Sequence, residues 1–485
     1  MDYIGRPPWE HQKQGVELSF KHDNLGLLWD MGTGKSRCVV DILRGRFAVN
    51  GRVMRTLIFA PPIVLRNWKR EFAGFSRLQD YQVKVLTGTG KKRTSNLKSF
   101  LFNEEENQYS RNIVLILNYE CLRNEELFSI LQKWAPEIVV CDEAHRCKNP
   151  QALQSKLVAK LSDLAKHRYI LTGTPILNSM MDIFQQYRIL DGGSLFGKNF
   201  YVFRTQFFED ENAAWSNKQG HFPKFIPRAS AFDEFSRRIY SIGNRVTKEE
   251  CMSLPPLITT SRDVELSPEQ ERMYKEMKNE FITFVKSKET EGTSPAVVAQ
   301  LAVTKALRLQ QIISGFAKDD AGNVHSLESV PRLAVLKELL QEITEAGHKV
   351  LVWSVFKENY AQIRRICDDI GVGYAEVHGE TKDKQASIDR LENDPDCKVI
   401  IAHPRSGGIG ANMTAASYSI RYSRDFSLEN YLQSRDRNHR GGSERHEKIT
   451  HIDLVARGTI DELILEALEN KQNIASMILE WRNKL

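Results

Sequence analysis

The 485-residue chain has few cysteines, and nothing in their placement staples a fold or builds a metal site. Cys38, Cys121, Cys141, Cys147, Cys251, Cys367 and Cys397 are scattered without a CxxC pair, which argues against a zinc ribbon or disulfide framework and fits a reducing cytoplasm. Cys141, His145 and Cys147 cluster, but no nearby fourth ligand completes a tetrahedral set, so no metal is expected there. Long apolar runs are missing too: none approaches the roughly 20 residues of a membrane span, and MDYIGRPPWEHQ lacks the apolar stretch of a secretory signal. Charge of one sign is not in large excess. Lys and Arg number 68 against 62 Asp and Glu, and the resulting +6 permits a nucleic-acid partner without demanding one. Repeats and low-complexity tracts are absent. A monomeric cytoplasmic protein with no membrane partner is the expectation.

A chain of this length exceeds what one hydrophobic core organises, so two or three domains are expected. Short apolar and β-branched runs recur at Leu25 to Trp29, Thr56 to Ala60, Ile113 to Leu117, Ile138 to Cys141 and Tyr169 to Leu171, separated by longer amphipathic stretches. A second series follows at Lys349 to Trp353, Tyr374 to Val377, Lys398 to Ala402, Ser417 to Tyr422 and Ile449 to Leu454. Strands buried on both faces become continuous apolar runs, so each series predicts an α/β lobe with a parallel sheet. Between them, 196–330 reads as largely helical insertions with the inter-lobe linker at its end, and the aromatic-rich stretch 196–225 either packs as a helical protrusion or docks a protein partner. The expected boundaries are 1–195 for the first lobe, 331–458 for the second, and a C-terminal brace helix over 459–485.

LLWDMGTGKSR, Leu27 to Arg37, ends in the GKS of a phosphate loop, although Trp29 stands where GxxxxGK[ST] has its first glycine. Gly32, Thr33 and Gly34 supply the turn nearest the anion, Lys35 a point charge for the β/γ-phosphates, and Ser36 a hydroxyl for Mg²⁺. Trp29 ends the preceding strand, farther from the anion, where glycine is least needed. Alone, the segment also fits an ordinary glycine turn. IVVCDEAH, Ile138 to His145, changes the balance: an apolar strand delivers Asp142 to hold Mg²⁺ and Glu143 to orient and deprotonate an attacking water.

WDMGTGKS, LIFAPPIVLRNWKREF, DEAH, LTGTPILNS, SGGIGANMTAA and QSRDRNHRGG occur in the order found in the Swi/Snf group of superfamily 2 helicase-like ATPases, and the chain resembles that family from Pro8 to Leu465. The resemblance implies two RecA-like parallel-sheet lobes with helical insertions between them, ATP in the inter-lobe cleft and duplex DNA across both lobes. Position by position, it implies that Gln12 reads the adenine edge, that Arg437 and Arg440 act as arginine fingers with Gln433 orienting their segment, and that Gly408 and Gly410 approach phosphate and DNA. Thr172 and Thr174 match the segment linking nucleotide to DNA.

Candidates for gripping nucleic acid are Arg66, Asn67, Trp68 and Lys69, with Asn118 and Tyr119, on the first lobe, and Ser354, Arg405 and Ser406 on the second; Trp68 reads equally well as a core anchor. Gly90 to Arg93, Arg237 and Arg238 add charge on expected loops, and Asn244 to Lys248 resembles the family's basic segment after the first lobe. Ser36 replaces the commoner threonine, Asn118-Tyr119 replaces Thr-Tyr, and Ser443 replaces a glutamine. The leading expectation is a DNA-stimulated ATP hydrolase that translocates on duplex DNA to remodel or displace what is bound there. A strand-separating or branch-migrating helicase and a nucleotide-clamped DNA-binding scaffold remain as alternatives. No bromodomain, chromodomain or zinc finger is evident, which points to a bacterial or viral source.

Overall fold

The computed structural model describes residues 4–76, 82–86, 90–103, 108–109, 112–176, 179–213, 223, 225–290, 295–319, 321, 323–407 and 412–469. It divides into two compact units, Met1–Glu211 with Lys224–Met252, and Asn212–Pro223 with Ser253–Leu485.

Among the described residues, the first unit is built on a parallel seven-stranded sheet: β1 (Asn24–Trp29), β2 (Thr56–Phe59), β3 (Gln82–Val85), β4 (Ile113–Leu117), β5 (Ile138–Asp142), β6 (His167–Leu171) and β7 (Gly243–Val246). Their order across the sheet is β7-β1-β6-β5-β2-β4-β3. The second unit carries six parallel strands among the described residues: β8 (Leu257–Val264), β9 (Val350–Trp353), β10 (Gly373–Val377), β11 (Cys397–Ala402), β12 (Tyr418–Arg421) and β13 (Ile449–Ala456), ordered β8-β13-β12-β9-β11-β10.

The five apolar runs of each series all form strands, and alternate side chains enter opposite cores. Leu28, Leu57 and Phe59 pack on one face of the first sheet, while Leu27, Trp29 and Ile58 pack on the other. In the second sheet, Val350 and Val352 are separated in the same way from Leu351 and Trp353. Two strands of the region read as largely helical belong to the sheets: β7 pairs with β1, and β8 pairs with β13 along eight residues. Both are edge strands and need a covered face less than a central strand does, so they carry polar sequences that give no apolar signal.

The helices that place the site are α1 (Glu10–Lys21), α2 (Lys35–Asn50) and α3 (Leu65–Phe75). Farther along come α4 (Ile183–Asp191), α5 (Phe200–Phe207), α6 (Phe232–Ile242), α7 (Leu428–Arg435) and α8 (Ile460–Glu469). Of the expected brace, α8 is described and 470–485 lies outside the described residues. In the 196–225 stretch, Phe196, Phe203, Phe207 and Phe208 are buried with Phe235, and Phe203 and Phe196 meet Phe184 and Tyr187 of α4 in tilted and edge contacts. Aromatic rings in such edge and tilted contacts contribute about 0.5–1.5 kcal/mol per pair beyond area burial, which pins α5 and α6 to the first unit. Tyr201 and Val202 remain on the surface.

Candidate active site

Parallel strands end at the same edge of a sheet, so the turns after β1, β5 and β6 gather together. The turn after β1 is the glycine loop. Gly32 and Gly34 have φ of 82° and 79°, left-handed values that only glycine adopts without strain, and α2 starts at Lys35 directly after Gly34. The loop therefore presents amides and a helix N-terminus in one turn, the arrangement an oxyanion of a polyphosphate needs. A Cβ on Gly34 would run into the Gln12 amide.

Trp29 does not obstruct the cradle. Its ring lies edge-on to His11 with centroids 4.9 Å apart, and a Cβ on Gly15 of α1 would meet that ring at 2.8 Å. The indole Nε1 donates to Asn244 Oδ1 at 2.5 Å. Lys35 is buried, and its Nζ donates to the carbonyls of Trp29 at 2.9 Å and Asp30 at 3.0 Å. Thr33 Oγ1 donates to the same Asp30 carbonyl at 2.8 Å, and the Thr33 carbonyl lies 2.8 Å from the His11 ring nitrogen. Gln12 bridges α1 to the loop: its Oε1 accepts from the Trp9 amide at 2.9 Å, and its Nε2 donates to the Gly34 carbonyl at 3.0 Å. Ser36 follows Lys35 in the first turn of α2, half-buried.

The turn after β5 brings the carboxylates. Asp142 is buried, and burial first and the neighbouring Glu143 carboxylate second push its pKa up to about 7, against the opposing Trp68 hydrogen bond and Lys35 charge. Trp68 Nε1 donates to Asp142 Oδ2 at 2.8 Å, and the Tyr119 hydroxyl donates to the Asp142 carbonyl at 2.7 Å. Glu143 has φ 53° and ψ 54°, a left-handed conformation that costs a non-glycine residue about 1–3 kcal/mol and marks functional turns. Its Oε2 is buried and accepts no hydrogen bond among the described residues, with His145 Nδ1 3.4 Å away. An orphaned carboxylate oxygen beside a buried acid fits a site that completes its bonding with water and a divalent cation.

His145 continues into the turn after β6: its Nδ1 lies 3.2 Å from Thr172 Oγ1, which accepts from the Thr174 amide at 3.1 Å. Sequence reasoning weighed His145 only in a cysteine cluster and gave it no place beside Glu143, although its position in DEAH was the signal.

In the second unit, α7 ends at Arg435, so Arg437 and Arg440 lie in the turns that follow rather than on a helix. Arg437 is buried, with Nε donating to the Gln433 carbonyl at 2.8 Å, and the Met413 amide donates to the Arg437 carbonyl at 3.1 Å. Arg440 is half-buried, and its carbonyl accepts from the Ser443 amide at 2.9 Å. Gly408 and Gly410 lie outside the described residues.

The model of the SNF2-related domain matches residues 11–314, well over half of the chain, and that of the helicase conserved C-terminal domain matches 332–442. The chain belongs to the SNF2-related family. It is a member of the Swi/Snf group of helicase-like ATPases. Among its relatives are an uncharacterized ATP-dependent helicase of Mycoplasma pneumoniae, 27% identical over 475 residues, and the chromodomain-helicase-DNA-binding protein 1-like of Danio rerio, 27% identical over 487 residues. The alignments cover 97% of this chain in both cases but only 42% and 44% of those proteins, so the chain spans less than half the length of either. The solved Sulfolobus solfataricus SWI2/SNF2 ATPase core in complex with dsDNA is 22% identical, with a TM-score of 0.44 over 99% of this chain and 94% of that one.

The nucleic-acid candidates of this SNF2-related chain differ in burial. Trp68 and Tyr119 are buried against Asp142, and Ser354 is fully buried with its hydroxyl 3.1 Å from Ser423 Oγ. Asn118 is half-buried and bonded to Glu120 Oε2 at 2.7 Å; Asn67 and Thr174 are also half-buried. Arg405 is exposed, with Ser406 beside it half-buried. The backbone of Arg66 lies in α3, and its side chain is outside the described set. Arg93 donates to Cys121 Sγ at 2.7 Å, and both Arg237 and Arg238 pair with Glu234, so these cations serve local contacts. The segment from Asn244 to Lys248 enters the first sheet through β7 and touches the phosphate loop, a placement its basic composition did not signal.

Proposed function

We propose that this chain hydrolyses ATP in the cradle of its first unit and that duplex DNA stimulates the reaction, the alternation of nucleotide states driving translocation that remodels or displaces what the DNA carries. The observation that carries the reading is the placement of Lys35, at the start of α2 behind two left-handed glycines, on the sheet edge where β5 delivers the buried Asp142. Lys35 leaves the Trp29 and Asp30 carbonyls to meet the β/γ-phosphates. Asp142 and Ser36 would hold Mg²⁺, which neutralises phosphate charge when bound. Glu143 orients the attacking water and takes its proton through Oε2, which accepts no hydrogen bond among the described residues.

The second unit contributes Arg437 and Arg440 as the groups that stabilise charge on the leaving phosphates, an effect worth about 10³ to 10⁵ in rate in comparable enzymes. Binding and release of nucleotide alternate the chain between two states in each ATP cycle. If both units hold phosphates of the DNA backbone, that alternation becomes stepping, without sequence preference and with strong salt dependence. The helicase-type motif set and the DNA-binding name of the Danio rerio relative support DNA as the partner.

The test is phosphate release with no nucleic acid, single-stranded DNA, duplex DNA, forked DNA and RNA, each at two salt concentrations. Duplex DNA is expected to stimulate most. Stimulation by forks alone would favour strand separation, and turnover indifferent to every nucleic acid would favour a nucleotide-clamped scaffold.

A further inference from the structure

Asp30, between Trp29 and the glycine turn, uses every polar atom it has. Its amide donates to the Val246 carbonyl at 2.9 Å. Its carbonyl accepts from both Lys35 Nζ and Thr33 Oγ1. Of its carboxylate oxygens, Oδ1 pairs with Arg245 Nη2 at 2.5 Å and Oδ2 accepts the Lys248 amide at 3.1 Å. Arg245 also donates through Nη1 to the Leu28 carbonyl at 2.6 Å, and Asn244 holds the Trp29 indole. One residue thus joins the cradle lysine to the strand β7, and the chain passes from the first unit to the second at Met252, four residues beyond Lys248.

We infer that Asp30 is a positioning residue that transmits the state of the cradle to the 244–252 segment, the stretch of chain that leads into the second unit. The inference rests on the nucleotide reading above. The bonds at Asp30 form a contiguous network between a group that must move and a segment placed to respond. While Lys35 is held by the Trp29 and Asp30 carbonyls, the loop backbone is fixed between the lysine and β7. When a phosphate draws the ammonium away, the Trp29 carbonyl loses the lysine and the Asp30 carbonyl keeps Thr33 Oγ1 without it, so the backbone between Asp30 and Gly32 re-bonds. The Arg245 pair and the Lys248 amide, attached to the same residue, follow it. A pair that only stabilised the fold would hold the same geometry in either state.

The experiment is hydrogen–deuterium exchange of the full chain with and without Mg²⁺ and ATPγS, read at the amides of 244–252, alongside ATPγS affinity and melting temperature. Wild type is expected to bind and to change its exchange in that segment about tenfold, a free-energy shift typical of coupled sites. Asp30→Asn and Arg245→Gln, the second of which leaves the loop's own sequence intact, are expected to bind ATPγS and lose most of that change. Doubly exchanging the charges, Asp30→Arg with Arg245→Asp, is expected to restore part of it. Binding in the wild type with no change at 244–252, or a full change persisting in both single variants whatever their melting temperature, overturns the inference alone. Absence of ATPγS binding to the wild type overturns it together with the nucleotide reading.

Discussion

The indole Nε1 of Trp68, on α3, donates a 2.8 Å hydrogen bond to the carboxylate of Asp142 at the end of β5. The core of the first unit and the chemistry of its site meet at that bond. Trp68→Phe keeps the ring and removes the donor. Hydrogen bonds to charged groups are worth about 1.5–3 kcal/mol, so the carboxylate should lose orientation and the Mg²⁺ concentration for half-maximal turnover should rise about tenfold. A Mg²⁺ titration of phosphate release checks this; an unchanged midpoint would reduce Trp68 to a core residue.

Asp142 also gives a stability prediction with a definite sign. Its carboxyl pKa is raised by burial and by Glu143 to about 7, so the native state holds the proton more tightly than the unfolded chain does. Stability from this group is therefore fully present below about pH 4 and is lost as pH rises through 7. Asp142→Asn, which cannot ionise, should be more stable than wild type at pH 8 by a few kcal/mol, with the difference shrinking toward pH 4. Denaturant melts at several pH values measure it, and a difference that is flat or grows toward acid contradicts the assignment.

Thr172 joins the hydrolytic turn to the segment after β6. Its hydroxyl lies 3.2 Å from His145 Nδ1 and accepts the Thr174 amide, and the residue is completely buried. Thr172→Val keeps the shape and breaks both links, leaving buried polar groups unmatched at a cost of about 1–3 kcal/mol. The expected outcome is a loss of DNA stimulation, about tenfold or more, larger than the loss of DNA-free turnover; equal losses would show that the link serves only stability.

A buried charge network organises the second unit independently of the nucleotide. Arg424 pairs with Asp453 at 2.8 Å, Arg421 with the same carboxylate at 3.3 Å, and Arg332 with Asp461, all almost wholly enclosed. Burial raises the Asp453 pKa, but the two guanidinium groups outweigh it and hold the carboxyl below its usual range. Asp453→Asn would leave Arg421 without its carboxylate and Arg424 with only Asp461, 3.9 Å away, and should cost about 3–5 kcal/mol in a thermal or denaturant melt. A loss below about 1 kcal/mol would mean that water or another group replaces the carboxylate.

Much of this was legible in the sequence. Runs such as IVLIL and IVVCD became central strands because burial on both faces leaves no room for alternation. QVKV and GNRV were missed because edge strands keep one side open and carry polar residues. The cradle could be read from GTGKS, since its glycines and lysine are fixed by local backbone chemistry. The burial of Trp68, Tyr119 and Ser354 could not, because a motif gives a residue's neighbours in sequence but not its surroundings in space. Asp30 drew no attention because its importance lies in contacts with residues more than 200 positions away.

The most direct test of the central claim compares phosphate release by wild type and by Lys35→Ala, each with and without duplex DNA. The account predicts wild-type turnover that duplex DNA raises about tenfold or more, and a Lys35→Ala variant that is inactive in both conditions yet still binds DNA. Substantial turnover by Lys35→Ala, or wild-type turnover that DNA leaves unchanged, would contradict it.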